Sequence, residues 1–141
     1  MSGPTKLTLI TATRCFTSQA NAAASVSTAP PLYPASYPHV IGVTAVDAHR
    51  RVLIEAARGS QVMFAAQGAD MVAADTPRKF SAVRGTSFAA PIVAALLAQK
   101  LSTPDLSSAD AAVQALALQA IDLGPPGRDL TYGFGLVGAD R

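Results

Sequence analysis

Gly85, Thr86 and Ser87 stand directly before Phe88-Ala89-Ala90-Pro91, and from Ile92 to Ala98 no side chain is polar. A run of that kind forms a helix with no wet face, which belongs inside a protein. Hydroxyl residues ahead of it are the usual chemistry of a helix start. Pro91 fits the beginning of a helix, and its missing N–H leaves the Ser87 carbonyl without a helical donor. The spacing thus predicts a small hydroxyl where free backbone N–H groups and the positive end of the helix dipole converge. Thr86 or Ser87 then either caps the helix or offers an oxygen nucleophile with donors ready for developing negative charge.

As a nucleophile, a serine needs a histidine within hydrogen-bond reach and an aspartate to orient that histidine. The chain has two histidines. His39 opens an apolar run and His49 lies in the charged turn Asp47 to Arg51, so both read as surface residues, and Asp47 reads as structural. Cys15 is the only cysteine, which rules out an internal disulfide and reads as an incidental thiol.

The elements that must position this serine are short. Leu7 to Thr11 is a strand candidate, and Thr13 to Ala29 reads as loop and holds Asn21, the only asparagine. The proline-rich run Pro30 to Pro38 is stiff and extended. Val40 to Val46 reads as a buried parallel strand, an apolar run bounded by turn residues. Val52 to Ile54, Val62 to Ala66, Met71 to Ala73 and Phe80 to Val83 are further strand candidates. Gln67-Gly68-Ala69 makes a turn, and Thr76 to Lys79 is a hairpin-like connection. After the central helix, Ser107 or Ser108 is the expected cap of a second one reaching about Gln119, with Ala112, Val113, Leu116 and Ala120 on one face.

The string Gly85-Thr86-Ser87-Phe88-Ala89-Ala90-Pro91 resembles the nucleophile motif of the subtilisin-like serine proteases, the subtilases, written Gly-Thr-Ser-x-Ala-Ala-Pro. Two more segments resemble the family: Tyr33-Pro34-Ala35 with Tyr37-Pro38, leading into a strand that ends Ala45-Val46-Asp47; and Tyr132-Gly133-Phe134-Gly135-Leu136-Val137. The resemblance implies an α/β, subtilisin-like parallel sheet with a buried central helix, in an incomplete domain. Residues 30–141 correspond to the C-terminal part of the peptidase domain, and residues 1–29 form a poorly matching N-terminal segment. It further implies a serine endopeptidase acting on polypeptides through Ser87 and an acyl-enzyme. Ser87, Thr86 and Gly85 supply the helix head and one oxyanion donor.

The family runs Asp, His, Ser in chain order. Neither His39-Val40 nor His49-Arg50 has the family's His-Gly-Thr setting, and no aspartate has its Asp-x-Gly setting. Asn21 is a weak candidate for the second oxyanion donor, because it lacks the glycine of the family's Gly-Asn pair. The chain alone is therefore expected to be inactive, with the missing N-terminal half of the domain as a partner. The alternative is a non-catalytic remnant or interaction module. No cofactor is expected; calcium is common in the family, but no site for it can be placed here and no metal ligands are assigned. An extracytoplasmic or secreted home is implied by the resemblance, although Leu7 to Ala12 is too weak an apolar stretch to read as an export signal.

Composition narrows the field. With 141 residues, 50% hydrophobic and 14% charged, the chain suits one globular domain with a core. Its net charge is +2, and its arginine groups carry no interleaved aromatics, which argues against nucleic acid as a partner. No run is long enough to span a membrane.

Overall fold

A computed structural model describes residues 39–76, 79–101 and 106–139. The strand candidate Leu7 to Thr11, Cys15, Asn21 and the Tyr33 to Pro38 run lie outside the described residues. Strands β1 (Gly42–Val46) and β2 (Val62–Gln67) pair in parallel, with Val43 opposite Phe64, Thr44 opposite Ala65 and Ala45 opposite Ala66. Every residue of β1 is buried, as a near-continuous apolar parallel strand requires. The only polar side chain in it, Thr44, donates to the Ala57 carbonyl at 3.2 Å. That satisfies a hydroxyl which would otherwise be costly to bury.

The chain's last segment extends this sheet on the far side of β2. Ala65 N–H donates to Gly135 O and Val137 N–H to Ala65 O, each at 2.9 Å, while Leu136 and Ile121 exchange bonds at 2.8 and 2.9 Å. Val52 to Ile54 does not form a strand. Val52 makes one bridge to Val46, and Leu53 N–H donates to Ala45 O. The backbone then turns, with Ala56 N–H reaching Leu53 O, so Leu53 is buried and Ile54 is left outside.

A separate antiparallel hairpin follows: β3 (Met71–Asp75) with β4 (Lys79–Val83). It shares no ladder with the parallel pair among the described residues. Helix α1 (Thr86–Lys100) packs on β1 and β2, and α2 (Leu106–Ala117) packs on α1. The core between them joins Phe64, Ala66, Ala89, Ala90, Val93, Leu97, Ala112 and Leu116. Small alanines at the α1–sheet contact let the helix approach closely. Helix α2 buries Ala112 and Leu116, as the 3.6-residue spacing predicts. It already runs from Leu106, so Ser107 and Ser108 lie within its first turn rather than ahead of it. Among the described residues no helix is long and apolar enough to cross a membrane.

Helix α1 is central but not enclosed on every side. Thr86, Ala89, Ala90, Val93 and Leu97 face the core, whereas Ser87, Pro91, Ala95 and Ala98 are exposed. These four recur at steps of four and three residues, so they form one face. The expectation of a helix with no wet face is corrected here: the described residues cover only one side of it. The sequence signal was sound about polarity, because the face carries no charge.

Candidate functional site

Ser87 lies in the first turn of α1, and the residue before the helix is Gly85, with φ 143° and ψ 159°. Few side chains tolerate that conformation, which accounts for glycine at this step. No side chain caps the helix. Of the two alternatives for Thr86 and Ser87, capping is thereby removed, since both are already helical. Phe88 N–H instead returns to Gly85 O at 3.1 Å, closing a tight turn around Thr86 and Ser87. Pro91 falls in the second turn rather than the first, and the bond that its nitrogen would have made to the Ser87 carbonyl is missing there.

The turn is built on the carboxyl ends of the parallel strands. Gly68 directly follows β2 and donates to Val46 O, the last residue of β1, at 2.9 Å. Gly85 N–H then donates to Gly68 O at 2.7 Å. The hairpin is thus an excursion that leaves at Gly68 and returns at Gly85, delivering Ser87 to the end of the sheet where open α/β folds place their ligands. Thr86 is buried and Ser87 is exposed. The Ser87 backbone N–H lies at the helix head, where the first N–H groups have no partner within the helix.

No described histidine or carboxylate is hydrogen-bonded to Ser87. His39 and His49 are both exposed, as their settings in the sequence predict. His49 belongs with Asp47 and Asp70, whose ligand atoms lie within 4.8 Å of one another. Asp47 is engaged already: Oδ1 accepts from His49 N–H and Arg51 N–H at 2.8 and 2.9 Å, and Oδ2 accepts from the Arg51 guanidinium. The Arg51 backbone bond, helped by the guanidinium, holds the Asp47 carboxyl below the usual carboxylate range. Asp47 therefore organises its turn, the structural role read from the sequence. Gln67 folds its side-chain amide back to Ala69 O at 3.1 Å.

One feature beside the serine was not legible in the sequence. Arg84, directly before Gly85, makes a bidentate pair with Glu55: Nε to Oε1 at 2.7 Å and a terminal nitrogen to Oε2 at 3.1 Å. The hydrogen bond from Arg84 holds Glu55 below its ordinary range, and Glu55 in turn raises Arg84. A separation of 29 residues gives no local pattern to find.

Fold and site together define an α/β domain that presents a hydroxyl at the head of its central helix, at the carboxyl end of parallel strands. A profile of the subtilase family matches residues 16–135, and the chain belongs to that family. It is similar to the minor extracellular protease Epr of Bacillus subtilis strain 168, at 28% identity over 105 residues, 74% of this chain. Among solved structures it is similar to a lanthipeptide protease, with a TM-score of 0.64 and 26% identity. It is also similar to fervidolysin from Fervidobacterium pennivorans, a keratinolytic enzyme related to subtilisin, with a TM-score of 0.64 and 28% identity. Both superpositions cover 74% of this chain. The chain spans only 16% of Epr, 40% of the lanthipeptide protease and 19% of fervidolysin.

Proposed function

We propose that this chain is the nucleophile-bearing part of a serine endopeptidase, with Ser87 as the attacking residue. The observation that supports the reading is the place of Ser87: exposed, in the first turn of a core-packed helix, inside the family's Gly-Thr-Ser-x-Ala-Ala-Pro string. In this reading Ser87 Oγ attacks a peptide carbonyl while a base takes its proton. The Ser87 N–H donates to the tetrahedral oxyanion, and the amine leaves with that proton. Water then hydrolyses the acyl-enzyme, with no cofactor in the chemistry. Gly85 and Thr86 shape the turn, and Asn21 is carried as a candidate second oxyanion donor.

The substrates are polypeptides, as the names of the relatives suggest, and the setting is extracytoplasmic by analogy with Epr. No described histidine reaches Ser87, so the base and its aspartate come from polypeptide beyond the described residues. The N-terminal half of a subtilase domain is what would supply them. A fluorophosphonate tests the assignment directly. Ser87 is labelled once that half is supplied, and Ser87→Ala abolishes labelling.

The lack of a base beside Ser87 among the described residues also favours a second reading, a non-catalytic remnant or interaction module. The same mixture separates the two: no labelling and no amidase activity with the upstream half present favours the remnant.

A further inference from the structure

The turn that carries Ser87 is reached through a hairpin with no ladder to the parallel sheet among the described residues, so something other than strand pairing must fix its exit. At its entry, Asp70 Oδ2 accepts from Ala48 N–H at 2.9 Å. Between entry and exit, the 2.7 Å bond from Gly85 N–H to Gly68 O closes the roots. At its exit, Arg84 grips Glu55 with two hydrogen bonds. Glu55 belongs to the β1–β2 connection, anchored by buried Leu53 and Ala56 on either side of it. We propose that Glu55 is a positioning residue for the nucleophile: through its bidentate hold on Arg84 it sets the peptide that leads into Gly85 and so fixes Ser87 against the sheet. The proposal rests on Ser87 being the nucleophile.

A planar fork on a carboxylate constrains direction as well as distance, which a single surface contact does not. As a contribution to global stability an exposed pair of this kind is small. Its effect is local, on the junction between β4 and Gly85, which no ladder holds among the described residues. The charges acting on the pair are few: Arg84 faces Glu55 and, further off, the carboxylates of Asp70 and Asp47. Asp47 is itself matched by Arg51.

The test uses the full chain and two readouts. Hydrogen exchange at the Gly85 and Phe88 amides reports the turn, because both make the bonds that close it. The amides of Ala65 and Val137 report the sheet. In Glu55→Gln, protection at Gly85 and Phe88 should fall by about two- to fivefold while the sheet amides hold. The charge-swapped pair Glu55→Arg with Arg84→Glu should restore it. Wild-type protection at those two amides should also fall as acid protonates Glu55, a step absent from Glu55→Gln.

Unchanged protection in Glu55→Gln, or failure of the swap to rescue, overturns the positioning role. The second readout is the rate of fluorophosphonate labelling with the upstream half present, expected to fall in Glu55→Gln and recover in the swap. A wild-type chain never labelled under that condition overturns the nucleophile assignment. The exchange readout still judges the clamp by itself.

Discussion

Gly68→Ala probes the joint between the sheet and the serine turn. A Cβ at position 68 would lie 2.6 Å from the Ala45 Cβ and 2.7 Å from the Gly85 carbonyl oxygen. Ordinary carbon contacts need roughly 3.5–4.0 Å, so neither neighbour can stay where it is. Both are fixed: Ala45 lies in the middle of a buried strand, and Gly85 O accepts the bond that closes the first turn of α1. Overpacking of this kind costs about 1–3 kcal/mol. Stretching the 2.7 Å bond from Gly85 N–H to Gly68 O adds about 0.5–1.5 kcal/mol. The expected loss is about 2–4 kcal/mol, read as a drop of about 1–2 M in the urea midpoint of the helical circular-dichroism signal. Ala45→Gly removes one of the two obstacles. The double variant Ala45→Gly, Gly68→Ala should therefore be more stable than the sum of the singles by about 1 kcal/mol. A Gly68→Ala midpoint equal to wild type, with additive behaviour in the double variant, would refute the claim that strand and turn touch at this glycine.

Other substitutions test the remaining joints. Phe64→Ala deletes a fully buried ring packed 5.7 Å from that of Phe134, and should cost about 3–5 kcal/mol in the same urea titration. Gly133 has φ 65°, and an added Cβ would strike the Met63 carbonyl; Gly133→Ala should lose more than about 3 kcal/mol and detach the terminal segment, seen as lost protection at Phe134 N–H. Glu55 is held below its ordinary value of 4.5 by the Arg84 hydrogen bond. A carboxylate lowered in the folded state contributes fully above its ordinary value and loses that contribution as pH falls through the folded one. The midpoint difference between wild type and Glu55→Gln should accordingly be small, present at neutral pH, and shrink below 4.5. His49→Ala should leave fluorophosphonate labelling of Ser87 unchanged, since that histidine sits with Asp47 and Asp70 in an exposed turn.

The parts of this structure that could be read from the sequence are those set by local pattern. The near-continuous apolar run before Asp47 gave a buried parallel strand, and the Gly-Thr-Ser string placed a helix head behind Gly85. The misreadings are tertiary in origin. Val52 to Ile54 has strand composition, but Leu53 must turn down into the core within three residues, so only one bridge forms. Thr86 and Ser87 have the composition of caps, yet the unusual backbone of Gly85 lets the helix begin one residue earlier without a side-chain cap. The exposed face of α1 could not be foreseen, because apolar residues at every position say that a helix is to be covered and not by what. Gly68 and the Glu55–Arg84 pair depend on segments brought together from far apart in the chain, where no periodicity leaves a trace.

Magnitudes decide what this part of the fold can contribute to catalysis without a base. In subtilisin, removing the serine or the histidine alone costs about 2 × 10⁶ in turnover, equivalent to about 8–9 kcal/mol of barrier at 1.36 kcal/mol per decade. A helix dipole supplies at most about 2 kcal/mol in favourable geometry. A single oxyanion donor, measured in subtilisin for an asparagine side chain, is worth about 2.7–4 kcal/mol, but only after attack has begun to place charge on the oxygen. The head of α1 therefore stabilises what Ser87 would form and does little to help it form. Removing the hydroxyl proton matters more than either, and in the proposed reaction it needs an imidazole within hydrogen-bond reach of Ser87. That ordering explains why activation of Ser87 is the decisive measurement: a well-built turn and an intact helix are compatible with an unreactive serine, whereas rapid labelling is not compatible with a missing base.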